Sequence, residues 1–330
     1  MRTIRRCVAF GLLLLAALLY LGNTDLLAPA RSGAPVLLAH RGIAQQFDTA
    51  GLTRDSCTAT RMLPPTHGYL ENTIDSMQAS FAAGADIVEL DVHPTTDGQF
   101  AVFHDWTLDC RTDGRGVTRE HAMADLRRLD LGYGYTADGG RTFPFRGKGV
   151  GLMPSLDEVL QRFPERTFLI NVKSNDPAEG AKLAAVLNRL TPERRGRLLV
   201  YGGDNPVAAL RAQAPDIKAM SRASLKSCLL RYLGTGWTGT APEACRAMVV
   251  FVPINVAPWL WGWPNRFLAR MEAVGSPVFV IGAYHGGDHS TGIDSREDVA
   301  RLPAGYAGGV FTNEIEAVAS WLKPGRPAAP

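Results

Sequence analysis

Cysteine is scarce in this chain. Only five cysteines occur in 330 residues, and no two have the Cys-x-x-Cys spacing that a thiolate-bound metal needs. Lysine and arginine nearly balance aspartate and glutamate, leaving a net charge of +3. No Lys/Arg-rich tract with interleaved aromatics follows the N-terminus, so nucleic acid is not the expected partner. The sequence also lacks low-complexity segments and internal repeats, which excludes solenoid architectures. Apolar residues make up 46% and charged residues 20%, enough core material for one large domain or two ordinary ones.

What is present first is an export signal. Arg2, Arg5 and Arg6 precede an apolar run from Cys7 to Gly22. A positive flank before a hydrophobic run directs a chain across a membrane. Two readings stay open. The run is a cleaved signal, with Ala28 and Ala30 as the small residues near the cut. Or residues 7–22 stay as a membrane anchor, because the run is Leu-rich and no small-residue site directly follows it. The run is shorter than the ~20 residues of a comfortable span. Either reading places the remainder outside the cytoplasm, in a periplasmic or extracellular space. Cysteine usage agrees. Cys7 lies in the signal, and Cys57, Cys110, Cys228 and Cys245 form an even set suited to two disulfides. Of the three pairings, Cys57–Cys110 and Cys228–Cys245 are favoured, since each pair lies within one region of the chain. On the loop-entropy model these bonds contribute about 4 and about 3 kcal/mol.

Beyond a linker with Pro29 and Pro35, short apolar runs alternate with helical patterns. Runs fall at 35–40, 86–92, 100–104, 167–173, 197–202, 217–221, 248–253, 278–282 and 309–312. Helical patterns fall at 72–83, 118–129, 155–163, 177–190, 206–213, 264–274 and 295–301. This alternation predicts an α/β fold with a mainly parallel sheet. One connection differs. About seven residues separate the second and third runs, too few for a parallel crossover. They form an antiparallel hairpin, with Asp97-Gly98 as the turn. Setting that companion strand aside leaves eight, which predicts a (β/α)8 TIM barrel with an extra hairpin strand and a long insertion, 43–70, after strand 1. The expected organisation is a signal or anchor plus linker over 1–34, a barrel domain over 35–322 and a tail over 323–330.

Active sites of such barrels sit at the C-terminal strand ends. The first strand ends in His40-Arg41-Gly42, and the helix after the insertion opens with Glu71-Asn72-Thr73. The second strand carries Glu89, Asp91 and His93 at alternate positions, hence on one face. The hairpin return ends in His104-Asp105, and the fourth strand in Asn171 and Lys173. With Asp97 and Gly98 as a two-residue turn, His93 faces Val102 and Asp91 faces His104, about 5 Å apart at Cβ. Two carboxylates on one face repel unless a cation lies between them. An oxygen-only set of Glu89, Asp91, Asn171 and Glu71 suits Ca2+ or Mg2+. His40 and His104 beside it, with Arg41 and Lys173, suit acid/base chemistry on an anionic substrate such as a phosphodiester.

The segments "LLAHRG", "LENTIDSMQASFAAGADIVELDVHPTTDGQFAVFHDWTLDCRTDGRGVT", "MPSLDEVLQRFP" and "GGVFTNE" resemble the glycerophosphodiester phosphodiesterase family in order and spacing. The resemblance implies a TIM barrel, a divalent cation, and hydrolysis of glycerophosphodiesters to glycerol 3-phosphate and an alcohol. It implies His40 and His104 as the catalytic pair, Glu89 and Asp91 as metal ligands, and Arg41 and Lys173 as phosphate contacts. Glu71 opens the family's Glu-Asn-Thr motif. One position departs from the pattern. The family usually carries a Glu-x-Lys metal carboxylate, and here Asn171 stands in its place. Asn ligates through its carbonyl oxygen but brings no charge, so weaker cation binding or a different substrate preference is expected. Two alternatives use the same parts. One is a phospholipase D-like or cyclising lyase acting on lysophospholipid or sphingolipid head groups. The other is a non-catalytic envelope protein that binds phospholipid head groups.

Four further readings complete the set. His93 is expected at the rim of the site, and Lys173 as an ion-pair partner of Glu89 as well as a phosphate contact. "GKGVG" (147–151) is read as a mobile loop, since no strand precedes it and no helix follows. "YHGGDHSTGID" (284–294), with His285, Asp288, His289 and Asp294, is read as a loop covering substrate. Trp259, Trp261 and Trp263 are expected to pack beneath a helix, with lipid contact as the alternative.

Overall fold

The computed structural model describes residues 2–29, 31–53, 56–286 and 291–323. Nine strands form: β1 (Val36–Ala39), β2 (Ile87–Pro94), β3 (Phe100–Val102), β4 (Thr167–Val172), β5 (Leu198–Gly202), β6 (Lys218–Ser221), β7 (Val250–Pro253), β8 (Val278–Ile281) and β9 (Gly309–Thr312). Eight run parallel in the order β6-β5-β4-β2-β1-β9-β8-β7, and β3 pairs antiparallel with β2. The result is a nearly closed barrel of eight parallel strands wrapped by helices, as the alternating pattern predicts. Among the described residues no strand pairing joins β6 to β7. That seam is crossed by the Cys228–Cys245 disulfide, which links the helix after β6 to the turn before β7.

The helices are α1 (Arg2–Asn23), α2 (Ile74–Ala83), α3 (Met123–Leu126), α4 (Leu156–Arg162), α5 (Pro177–Leu187), α6 (Pro192–Arg195), α7 (Asp204–Gln213), α8 (Arg222–Thr235), α9 (Asn265–Ala273), α10 (Arg296–Ala300) and α11 (Ile315–Leu322). Local chemistry sets many of their ends. Thr73 caps α2 by accepting from the Ser76 amide, and Gly84 closes it in the left-handed region at φ 113°. Ser155 and Glu158 make a capping box at α4. Asp176 caps α5, with Pro177 at its first position.

Three expectations are corrected. The pattern at 118–129 breaks into a 3-10 turn, Thr118–Glu120, and the short α3. Helices α8 and α11 form where no helical pattern is singled out. The hairpin register is one residue away from the expected one: Val92 pairs with Val102 and His93 with Ala101. The loop has three residues, Thr96-Asp97-Gly98, because Thr95 N–H reaches Gln99 O and Gly98 takes φ 81°. A left-handed third residue is the signature of that hairpin class. Phe103, not His104, therefore lies opposite Asp91, donating its N–H to the Asp91 carbonyl.

The two expected disulfides, Cys57–Cys110 and Cys228–Cys245, are both bonded, and Cys7 is free and exposed. "GKGVG" is tied down rather than loose: the Asp130 carboxylate accepts N–H groups from Gly147 and Gly149. Of the three tryptophans, only Trp263 packs inward, against Phe267 and Tyr306, while Trp259 and Trp261 stay exposed.

The packing of α5 on α7 gives a sharp test. A Cβ on Gly180 would stand 2.0 Å from the Pro206 carbonyl oxygen. Gly180→Ala is expected to lower stability by roughly 1–3 kcal/mol through overpacking, although alanine is the better helix former. Urea unfolding checks the sign, and a gain in stability would contradict this packing.

Candidate active site

Strand β2 is buried along its whole length, including the side chains of Glu89, Asp91 and His93. The register aligns Asp91 with Asn171 on β4, and Asn171 with Tyr201 on β5. These three side chains make one row across the barrel wall. Asn171 Nδ2 donates to Asp91 Oδ1 at 2.8 Å, and Tyr201 OH donates to Glu89 Oε1 at 2.7 Å.

Above them lies a ring of cations set by two strained turns. Arg41 and Asn72 both take left-handed backbone, at φ 58° and 60°. Such strain persists only where surroundings hold it, and here each conformation aims polar groups at the carboxylates. The Arg41 amide donates to Glu89 Oε2 at 3.2 Å, its Nε stands 3.2 Å from Asp91 Oδ2, and its Nη1 donates to Glu71. Asn72 Nδ2 donates to Asp91 Oδ2 at 3.0 Å. Gly42 must be glycine, since a Cβ would meet Ser76 Oγ at 2.4 Å and its φ is 82°. Lys173 pairs with Asp91 at 3.3 Å, not with Glu89 as expected.

Each histidine has its own orienting partner. His40 Nδ1 is 2.7 Å from Asn313 Oδ1, and Asn313 Nδ2 in turn donates to Asp294. Asp294 thus faces inward and positions Asn313, rather than serving a covering loop. His285 of that segment is exposed, and Asp288 and His289 lie outside the described residues. His104 Nδ1 is 2.7 Å from Asp105 Oδ1. Arg111 then bridges Asp105 and Glu71, at 2.9 and 3.0 Å. Both Glu71 oxygens are consequently held by guanidinium groups, those of Arg41 and Arg111. His93 is buried below the rim. Its Nε2 is 3.4 Å from the His104 carbonyl, its Nδ1 has no partner, and its ring meets Trp106 edge-on.

These contacts separate the protonation behaviour of neighbouring groups. Burial and the Asp91 charge push the Glu89 carboxyl up to about 8. Burial alone would raise Asp91 too, yet Lys173 and Arg41 hold it well below the usual carboxylate range. Burial, reinforced by Arg41, drives the His40 imidazole down to about 3. Burial, Arg41 and Lys173 also lower His104, against the pull of Asp91.

The floor of this site suits a hard cation. Four carboxylates (Glu71, Glu89, Asp91, Asp105) face three permanent cations (Arg41, Arg111, Lys173), leaving one negative charge in excess. The excess falls on Glu89, which has no Lys or Arg side chain within 4 Å among the described residues. Glu89, Asp91 and the amide oxygen of Asn171 are the donors that would hold such an ion. Among the described residues no three His, Cys, Asp or Glu side chains group into a metal cage, and the residue beside Asp91 on β4 is the uncharged Asn171.

Arg111, Tyr201 and Asn313 are not singled out in the sequence, and Asp294 is named there as part of the 284–294 loop. Arg111 had a signal: it follows Cys110, and Thr58, which follows Cys57, accepts from its Nη2 at 2.5 Å. The disulfide thus clamps the insertion to the arginine bridge.

Comparison with known proteins follows the same lines. A model described as the glycerophosphoryl diester phosphodiesterase family matches residues 40–228. A glycerophosphodiester phosphodiesterase of Bacillus subtilis is 38% identical over 194 residues, 53% of this chain and 65% of that protein. Two further curated relatives are matched over only 39% and 40% of their length, so the chain spans less than two thirds of each of these three. The glycerophosphoryl diester phosphodiesterase domain of a Mycobacterium tuberculosis protein has the same fold, with a TM-score of 0.62 at 17% identity. That likeness covers 88% of this chain and 99% of that one. An Oleispira antarctica phosphodiesterase solved with the product sn-glycerol-3-phosphate aligns at a TM-score of 0.55 and 16% identity, over 87% and 96% of the two chains.

Two outcomes follow. His40, His93 and His104 bind protons less readily folded than unfolded. The stability they contribute is present above about 6.5 and is lost as pH falls toward the folded values, about 3 for His40 and about 4 for His93. Melting temperature is therefore expected to drop between pH 7 and pH 4, and His93→Gln should flatten part of that slope. Cys57→Ser with Cys110→Ser should remove about 4 kcal/mol on the loop-entropy model, and a urea midpoint unchanged from the parent would contradict it.

Proposed function

The chain belongs to the glycerophosphoryl diester phosphodiesterase family, and from that membership we propose that it hydrolyses glycerophosphodiesters to glycerol 3-phosphate and an alcohol, with a divalent cation. One observation carries the reading. Within the buried pair, Asp91 holds both cationic side chains, Arg41 and Lys173, whereas Glu89 has no Lys or Arg side-chain partner among the described residues and has the His40 imidazole at 3.8 Å, with His104 at the same mouth. A bound Ca2+ or Mg2+ would neutralise phosphoryl oxygens and act as a Lewis acid. Glu89, Asp91 and Asn171 would hold it.

The remaining roles belong to the chain itself. Arg41 and Lys173 present guanidinium and ammonium groups to the anionic diester. Glu71 fixes the Arg41 guanidinium and so serves as a positioning residue. With Nδ1–H directed at Asn313, His40 keeps its Nε2 lone pair for the attacking water. The Asp105 carboxylate pulls His104 toward its charged form, against the net lowering by burial, Arg41 and Lys173, whereas His40 has only an amide behind it. We therefore assign His104 as the proton donor to the leaving alkoxide and His40 as the base. The disulfides fit a chain exported to an oxidising compartment.

The test is release of glycerol 3-phosphate from glycerophosphocholine or a related diester. Activity is expected with Ca2+ or Mg2+, lost with EDTA, and reduced by roughly 10²–10⁴ in His104→Ala. No metal-dependent, His104-dependent turnover of any diester would leave a head-group-binding protein. A cyclic phosphate product seen by phosphorus NMR would replace hydrolysis by the lyase reaction. Asn171→Glu restores a third carboxylate, and calorimetric titration should show the cation bound about tenfold tighter or more.

A further inference from the structure

Helix α1 is 22 residues long and apolar after its three arginines, and none of its residues is buried against the barrel. At 1.5 Å per residue its apolar stretch, residues 7–22, covers about 24 Å of a hydrocarbon core of about 30 Å, and the flanking arginine stems reach toward the headgroups. Its C-terminal end, however, is not loose. The last carbonyls of a helix lack partners within the helix, and here the barrel supplies them. Arg266 and Arg270, one turn apart on α9, donate to the carbonyls of Leu21, Gly22 and Thr24 at 2.8–3.2 Å. Positive charge at that terminus also opposes the helix dipole favourably. Asp25 accepts from the Asn265 amide and side chain, and Arg31 pairs with Glu272. The whole exit of α1 is thus bonded along α9.

The same junction carries exposed aromatics. Asn23 Nδ2 donates to the Trp237 carbonyl, and Arg270 bonds both Asn23 Oδ1 and the Trp261 carbonyl. Trp237, Trp259 and Trp261 are 45%, 76% and 40% exposed, and Leu230 on α8 is 58% exposed. A single exposed tryptophan needs no explanation, but several around the exit of one apolar helix do. Tryptophan, with an apolar body and a polar N–H, is the side chain enriched at the headgroup level of a bilayer.

We propose that α1 is retained as a transmembrane anchor, and that Trp237, Trp259 and Trp261 form a collar seating the barrel on the outer surface of that bilayer. Arg2, Arg5 and Arg6 at the start of α1 place that end on the cytoplasmic side, so the disulfide-bonded barrel faces outward. The collar is continuous with the anchor, which identifies a lipid surface as its partner. This inference is independent of the chemistry at the barrel mouth.

The full-length chain, produced in a host that exports it, is expected in the membrane fraction with an intact mass that includes residues 2–23. In bilayer nanodiscs of phospholipid brominated on the acyl chains, its tryptophan emission should fall by up to about one half, since three of the six tryptophans lie in the collar. In Trp237→Phe/Trp259→Phe/Trp261→Phe that loss should shrink at least threefold. Trp259→Phe alone, at the most exposed position, gives a partial effect if the triple variant fails to fold. A soluble chain cleaved before Asp25 overturns the anchor. Absence of bromine quenching, or equal quenching in parent and variants, overturns the collar; quenching absent while chemical cross-linking joins two barrels assigns the patch to a second copy.

Discussion

Everything at the mouth of this barrel answers to the burial of Glu89 and Asp91 on one strand. Removing a carboxylate from water costs several kcal/mol even after relaxation, and this strand buries two within one row. The structure meets that cost with direct hydrogen bonds and charges. Asp91 receives Asn72, Asn171, Arg41 and Lys173. Glu89 receives only Tyr201, the Arg41 amide and a distant imidazole. The asymmetry splits two chemically similar groups into one firmly ionised and one that resists ionisation. It also explains the strained turns at Arg41 and Asn72, which would be costly anywhere without such partners.

From that pair a chain of contacts runs outward through Arg41, Glu71, Arg111 and Asp105 to His104. A second runs from His40 through Asn313 to Asp294. The two imidazoles are therefore not equivalent, since one is backed by a carboxylate and the other by an amide. This difference is the basis on which proton donor and acceptor are proposed.

The barrel was legible because period-two and apolar patterns report burial directly, and nine runs became nine strands. Glu89, Asp91 and His93 stood out because alternation exposes misplaced charge. The register error at the hairpin had a definite source. "TTDGQ" accommodates a two- or a three-residue loop, and only the hydrogen bond from Thr95 to Gln99 separates them. Helix α8 turns Leu225, Cys228, Leu229, Tyr232 and Leu233 toward the core at helical spacing, but exposed Arg222, Lys226 and Arg231 among them dilute its apolar character in the sequence. The roles of Arg111, Tyr201 and Asp294 could not be found by pattern. Each is common in its residue type and acts through partners on other segments: Arg111 through Asp105 and Glu71, 6 and 40 positions away, Tyr201 through Glu89, 112 away, and Asp294 through Asn313.

The seam between β6 and β7 has a consequence for the chain's life before oxidation. Without a β6–β7 pairing among the described residues, two strand edges lack sheet partners, and unpaired edges can recruit strands from other molecules. Here Cys228–Cys245 ties the two margins together across that gap. A newly made chain held in a reducing compartment has the strands but not the clasp. Its hazard is self-association edge to edge, which formation of the Cys228–Cys245 bond is expected to reduce.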